Sequence, residues 1–212
     1  MNKQHRRPPG RPRANEQSQS TRYLILKTAA RLFLDHGYPM VSIDDIANAC
    51  QVTKATVYYY FSSKAELFTE TMIQLMNRIN DRIQLILSED LPLYDRLIKV
   101  TEAHLKATYH IDLDKSFMQG GTKDTLSDEQ IKKMQEAEEC MRKGIEKVFT
   151  DSMKQKEIAE VNPLFSTHVY LSLLQVGNVR DKNNTPIFPS VKETAEHIVQ
   201  LLWKGLFQIS KK

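Results

Sequence analysis

The sequence predicts an all-α protein in two parts, a small N-terminal three-helix unit and a larger C-terminal helical body, and three observations predict it. Only seven glycines occur in 212 residues, too little turn material for an all-β chain of that length. Apolar residues recur at steps of three and four over most of the chain, the period of helices buried along one face. Capping residues (Ser42, Thr53 and Ser62 or Ser63) follow one another closely and mark three helix starts in succession.

Each element has its own local reasons. Residues 1–18 are polar, rich in Arg and Pro and without an apolar period, which predicts a disordered basic arm. From Thr21, the groups Tyr23-Leu24-Ile25-Leu26, Ala29-Ala30 and Leu32-Phe33-Leu34 predict a first helix, stopped by Gly37 and Pro39. Ser42 stands as the N-cap of a short second helix reaching about Ala49, with Asp44 and Asp45 in its first turn, where the helix dipole favours acids. Thr53 caps a third helix through Tyr60. Ser62 or Ser63 opens the fourth, and Glu66, three residues beyond Ser63, completes a capping box. That helix is long: Leu67, Phe68, Met72, Leu75, Met76, Ile79, Ile83, Ile86 and Leu87 keep step up to Ser88 without glycine or proline. After Leu91-Pro92 a fifth helix carries Leu97, Val100, Thr101, His104, Thr108 and Ile111 on one face. Gly120-Gly121 and the cap Ser127 precede another long helix, marked by Ile131, Met134, Glu138, Met141, Ile145 and Val148. Two more run from about Pro163 to Val176 and from about Val191 to Ile209, joined by a polar loop from Asn178 to Pro189. The last carries Ala195, Ile198, Val199, Leu202, Leu206 and Ile209 on one stripe, with Leu201, Trp203 and Phe207 outside it. Apolar surface on two sides predicts packing against its own domain and against a second copy, a homodimer through the last two helices.

Charge and motif content narrow the function. Residues 1–64 carry ten Lys and Arg against four acids, a net of +6, while the rest carries 20 basic and 22 acidic side chains, a net of −2. A cationic end on a nearly neutral body fits a module that meets a polyanion, joined to one that does not. Cys50 and Cys140 lack metal-ligand spacing, so free thiols are expected, with no metal and no cofactor. The absence of a signal peptide and of any apolar run near the roughly 20 residues of a membrane span predicts a cytoplasmic protein without membrane contact. No Walker loop, Gly-x-Gly-x-x-Gly or His-Glu-x-x-His occurs, and Gly120-Gly121-Thr122-Lys123 lacks the upstream glycine of a phosphate loop. No catalytic residue is expected, and a helical enzyme is the weakest rival reading.

The stretch Val41–Phe61 sets two short helices about a turn of three or four residues, the unit that seats its second helix in the major groove of DNA. Ile46, Ala47, Val52 and Val57 supply the small apolar contacts between them. At about 100° per residue, Ala55, Thr56 and Tyr59 face away from Val57, with Lys54 and Tyr58 along the rim. Ala55 permits close approach to base edges and Thr56 suits base reading, while Lys54, the tyrosine hydroxyls and Lys64 suit phosphates. Tyr60 and Phe61 are read as core.

In these residues the chain resembles the TetR family of bacterial regulators. The likeness is carried by Ile25, Ala29-Ala30, Leu32-Phe33, Gly37-Tyr38, Ser42-Ile43, Ile46-Ala47, the run Val52–Phe61, Ser63-Lys64 and Leu67, within roughly residues 20–70. The resemblance implies a DNA-binding domain over residues 19–65, with the helix-turn-helix at about 42–61, and an effector-binding and dimerisation domain over 66–212. It implies DNA contacts from Ser42, Thr53, Lys54, Thr56, Tyr58, Tyr59 and Lys64, and a repressor released from operator DNA by an unknown small-molecule effector. An architectural DNA-binding protein without an effector is the rival. Three positions depart from the family pattern. Gln51 and Ala55 stand where glycine is frequent, and Asp44 stands where some relatives carry a basic base-reading residue, so no DNA contact is expected of Asp44. In the arm, Pro9-Gly10-Arg11-Pro12-Arg13 resembles an AT-hook core, which implies that Arg11 and Arg13 enter a narrow minor groove. For the effector, His104, Thr108 and Glu138 interrupt apolar stripes, as polar groups in a small-molecule pocket do, and Met72, Met76, Met134 and Met141 offer an adaptable lining.

Overall fold

A computed structural model describes residues 14–108, 125–183 and 185–208, with residues 14–19, 107 and 108 described as backbone alone. Among the described residues there are eight α-helices and no β-strand: α1 (Ala14–His36), α2 (Ile43–Cys50), α3 (Lys54–Tyr60), α4 (Lys64–Leu87), α5 (Leu93–Thr108), α6 (Asp128–Lys154), α7 (Pro163–Val176) and α8 (Val191–Leu202). A π-helical turn, Trp203–Phe207, continues α8.

The end of α1 is the predicted one: Gly37 takes φ +82° and its amide donates to the Phe33 carbonyl at 2.9 Å. Its beginning is not. The helix reaches back to Ala14, so residues 14–18 of the expected arm are helical; Ala14–Ser20 holds no Pro or Gly, and extending an existing helix is easy once its nucleus is packed. The starts of α2, α3 and α4 follow the sequence. Ser42 accepts from the Asp45 amide at 3.1 Å while the Asp45 carboxylate accepts from the Ser42 amide at 2.8 Å, a full capping box. Thr53 accepts from the Thr56 amide at 3.1 Å. Ser63 accepts from the Glu66 amide at 3.0 Å, but the Glu66 carboxylate returns to the amide of Ser62, at 2.6 Å, so the box spans both serines instead of closing on Ser63.

Two hydrophobic clusters share α4. The first gathers Ile25, Ala29 and Phe33 of α1, Ile46 and Ala47 of α2, Val57 of α3, and Leu67, Phe68 and Met72 of α4. Phe68 meets Phe33 and Tyr38 edge-on, with ring centres 5.1 and 4.8 Å apart. The second joins Ile83 and Leu87 of α4 to Leu97, Val100, Ile145, Phe149, Tyr170, Val199 and Leu202. The 24 residues of α4, about 36 Å long, thus cross from one cluster to the other. The N-terminal core extends to Met72, beyond the residue 65 at which the sequence divides the chain.

Glu157 ties the second part together from outside any helix. Its carboxylate caps the start of α5 at the Leu93 amide, takes the Ser152 hydroxyl at 3.1 Å and pairs with Arg96 at 3.2 Å. Arg96 in turn donates to the Leu87 carbonyl, 2.7 Å away, at the end of α4. The last helix departs from the sequence expectation. An unbroken α-helix leaves Phe207 off the buried stripe, but the wider π turn rotates it inward, 5.0 Å from Phe149 and 1% exposed.

Candidate nucleic-acid interface

The unit α2–turn–α3 is fixed from beneath by Ile46 and Val57, both fully buried. The turn depends on Gln51, which takes left-handed φ 56° and ψ 40° and whose amide donates to the Asn48 carbonyl at 3.1 Å. A side chain in this region is strained relative to glycine, as the sequence departure implies. Val52 then donates to the Ala47 carbonyl at 3.0 Å and closes the bend.

Above this support lie the residues expected to face outward. Tyr59 is 80% exposed and Tyr58 46%, and Ser42, Thr53, Lys54 and Ala55 are exposed beside them. Thr56 is half-buried; its hydroxyl shares a 2.8 Å hydrogen bond with that of Thr53, which sets the orientation of its methyl group. Phe61 is buried and Tyr60 half-buried, so both belong to the support, as read from the sequence.

Two cations on this face have partners that the sequence does not announce. The Lys54 ammonium lies 2.7 Å from the Asp44 carboxylate, which raises its pKa above the usual lysine value. Lys64, at the first position of α4, holds its ammonium 4.2 Å from the centre of the Tyr38 ring, and partial burial there lowers its pKa. Neither contact follows from helical spacing, because each joins separate elements. Arg11 and Arg13 lie outside the described residues.

The effector candidates whose side chains are described differ in exposure. His104 lies partly buried on α5, where burial lowers its pKa and favours the neutral imidazole. The side chain of Thr108 lies outside the described residues. Glu138 is exposed on α6, contrary to a pocket-lining role, because α6 buries side chains fully only from Ile145 onward. A groove between α5 and α8 is lined by Tyr94, Ile98, Glu196, His197 and Gln200, none of them a sequence candidate. Among the described residues no His, Cys, Asp and Glu side chains gather as a metal site, and no helix is long and apolar enough to cross a membrane.

Residues 25–71, from the middle of α1 through α2 and α3 into the start of α4, match the bacterial regulatory proteins of the tetR family. The chain is a TetR-family transcriptional regulator. This TetR-family chain is 25% identical to the HTH-type transcriptional regulator YhgD of Bacillus subtilis over 152 residues, 71% of this chain and 78% of that protein. It is 38% identical to the HTH-type transcriptional regulator AcrR of Shigella flexneri over 58 residues, 27% of each chain, so that likeness spans only about a quarter of the relative. Its fold is shared with the transcriptional regulator FadR of Bacillus subtilis in complex with stearoyl-CoA, with TM-score 0.71 and 16% identity over 87% of this chain and 98% of that one. The family assignment makes DNA binding through the helix-turn-helix the function of the N-terminal unit.

Proposed function

We propose that this regulator is a homodimeric repressor that grips operator DNA through α3 and is released by a small-molecule effector. The observation that carries the reading is the polar, exposed face of α3, with Lys54, Ala55, Tyr58 and Tyr59 held rigid by Val57 below and by the Thr53 cap at its start. Such a helix face fits the width of a major groove. In this reading Thr56 reads a base edge, and Ser42, Thr53, Lys54, Tyr58, Tyr59 and Lys64 meet phosphates or neighbouring bases, while Arg11 and Arg13 of the arm follow the minor groove. The N-terminal unit over residues 19–65, with the start of α4 up to Met72 packed into its core, binds DNA, and the rest of the body up to residue 212 takes the effector and the second copy.

The dimer reading has its own support. Leu164, Phe165 and Val176 of α7 and Leu201 of α8 are 44–61% exposed, an apolar surface that a second copy of the last two helices covers. That FadR, in the same fold, is in complex with stearoyl-CoA supports a small-molecule effector. Release requires the effector to favour a DNA-incompetent arrangement over the competent one, since equal affinity shifts nothing. The protein acts in the cytoplasm and catalyses no reaction.

Footprinting on the promoter of its own gene is the test. A protected palindrome is expected, with half-sites about 34–36 Å apart or a multiple of that. Lys64→Ala weakens binding to all sequences and reduces the salt slope by about one, while Thr56→Ala changes sequence preference. Protection without a palindrome supports the architectural reading instead.

A further inference from the structure

We infer that Asp44 and Lys54 act together as a reading unit for one G·C base pair in each operator half-site. The inference rests on the reading that α3 enters the major groove. Asp44 is the second residue of α2 and Lys54 the first of α3, ten positions apart in sequence. The crossing of the two helices brings Lys54 Nζ to 2.7 Å from Asp44 Oδ2, with 52% and 58% of the two side chains still exposed. An ion pair so exposed contributes little to stability, and Ile46 and Val57 already hold α2 to α3. What the bridge does is fix one cationic donor and one anionic acceptor side by side on the surface that carries Ser42, Thr53 and Tyr58.

The major-groove edge of a G·C pair is the complement of that arrangement. Guanine presents N7 and O6 as acceptors, and cytosine presents its N4 amino group as a donor. O6 and N4 are hydrogen-bonded to each other, about 2.9 Å apart, close to the spacing of the Asp44–Lys54 pair. The ammonium meets two adjacent acceptors while the carboxylate takes the amino group. On an A·T pair the amino group lies between two acceptors, N7 and O4, so a carboxylate reaching it is repelled from both sides and the ammonium loses its second acceptor. Each member of the bridge also holds the other in place, which suits a two-point contact.

The experiment is selection of bound sequences from a random-duplex pool with the full-length chain, its Asp44→Ala and Lys54→Met variants, and the double variant, followed by affinity measurement on single-position changes. The wild-type chain is expected to select a palindrome with G·C at one fixed position per half-site, preferred there roughly tenfold or more. Both single variants relax that same position to a few-fold preference, and the double variant relaxes it no further. Relaxation at two different positions overturns the inference. So does an unchanged selected sequence with tighter binding of Asp44→Ala to all DNA, which makes the bridge only a store for a cation. A palindrome selected by the wild type and untouched by both substitutions sinks this inference alone; no palindrome from the wild type sinks the parent reading, and this one with it.

Discussion

Gln51 closes the bend between α2 and α3 from a left-handed backbone conformation that a side chain makes costly. For a non-glycine residue that conformation costs about 1–2 kcal/mol, against about 0.5–1 kcal/mol for the extra freedom glycine loses on folding. Gln51→Gly is therefore expected to stabilise the chain by about 0.5–1 kcal/mol, read as a higher urea midpoint with unchanged slope. A lower midpoint would mean that the Gln51 side chain makes a contact worth more than the strain. Tyr170 presents the opposite situation, a polar group satisfied deep inside. Its hydroxyl shares a 2.9 Å hydrogen bond with Thr101, and burial pushes its pKa far up, so it stays protonated. Tyr170→Phe leaves the Thr101 hydroxyl without that partner and is expected to cost about 1–2 kcal/mol in the same measurement.

Helix starts are where whole elements respond to solution conditions. Asp45 in the α2 box accepts from both the amide and the hydroxyl of Ser42, and these bonds hold its pKa below the ordinary 3.8. Glu66, bonded to Ser62 in the same way, lies below 4.5. A carboxylate depressed in the folded state adds stability that is fully present above its unfolded pKa and is lost as pH falls through the folded one. Acid unfolding should thus have a component below about pH 4 that Asp45→Asn and Glu66→Gln flatten. If the stability of these variants fell below pH 4 as steeply as that of the wild type, the caps would carry no such linkage. A cap from a distant segment behaves differently. Glu157 serves the start of α5, Ser152 and Arg96 at once, so Glu157→Ala leaves Arg96 without its carboxylate in a site only 16% exposed. A loss of about 2–3 kcal/mol is expected, larger than for Ser42→Ala at an ordinary cap, about 1 kcal/mol.

At the scale of the molecule, α4 is the feature that makes two clusters one structure. Leu67, Phe68 and Met72 at its start belong to the DNA-binding core and Ile83 and Leu87 at its end to the body, with no break between them. Leu126 and Met134, from the segment leading into α6 and from α6 itself, also pack against the N-terminal core. The body is closed where Gly177 lets α7 pass under Leu105 of α5 and Ile198 of α8, a spot that leaves no space for a Cβ atom. Its outer face remains apolar. Phe165→Asp combined with Leu201→Asp is expected to give a monomer of unchanged helix content by analytical ultracentrifugation, with binding to a two-half-site probe weakened at least tenfold. A dimer that survives both charges would place the interface elsewhere.

A few neighbouring residues suffice to decide the caps at Ser42, Thr53 and Ser127, the stop at Gly37, the helical period, and the residue pattern that identifies the family. These are local because a helix start satisfies its own amides within one turn, and a buried stripe repeats every three or four positions. The rest depended on how the helices pack in three dimensions, and that packing is not local. It set Asp44 on Lys54, Tyr38 under Lys64 and Glu157 at a helix 64 residues away, carried one core along α4, turned Phe207 inward and left Glu138 in solvent. Such contacts depend on how helices cross and rotate, which side-chain packing fixes over the whole chain and no short window of sequence contains.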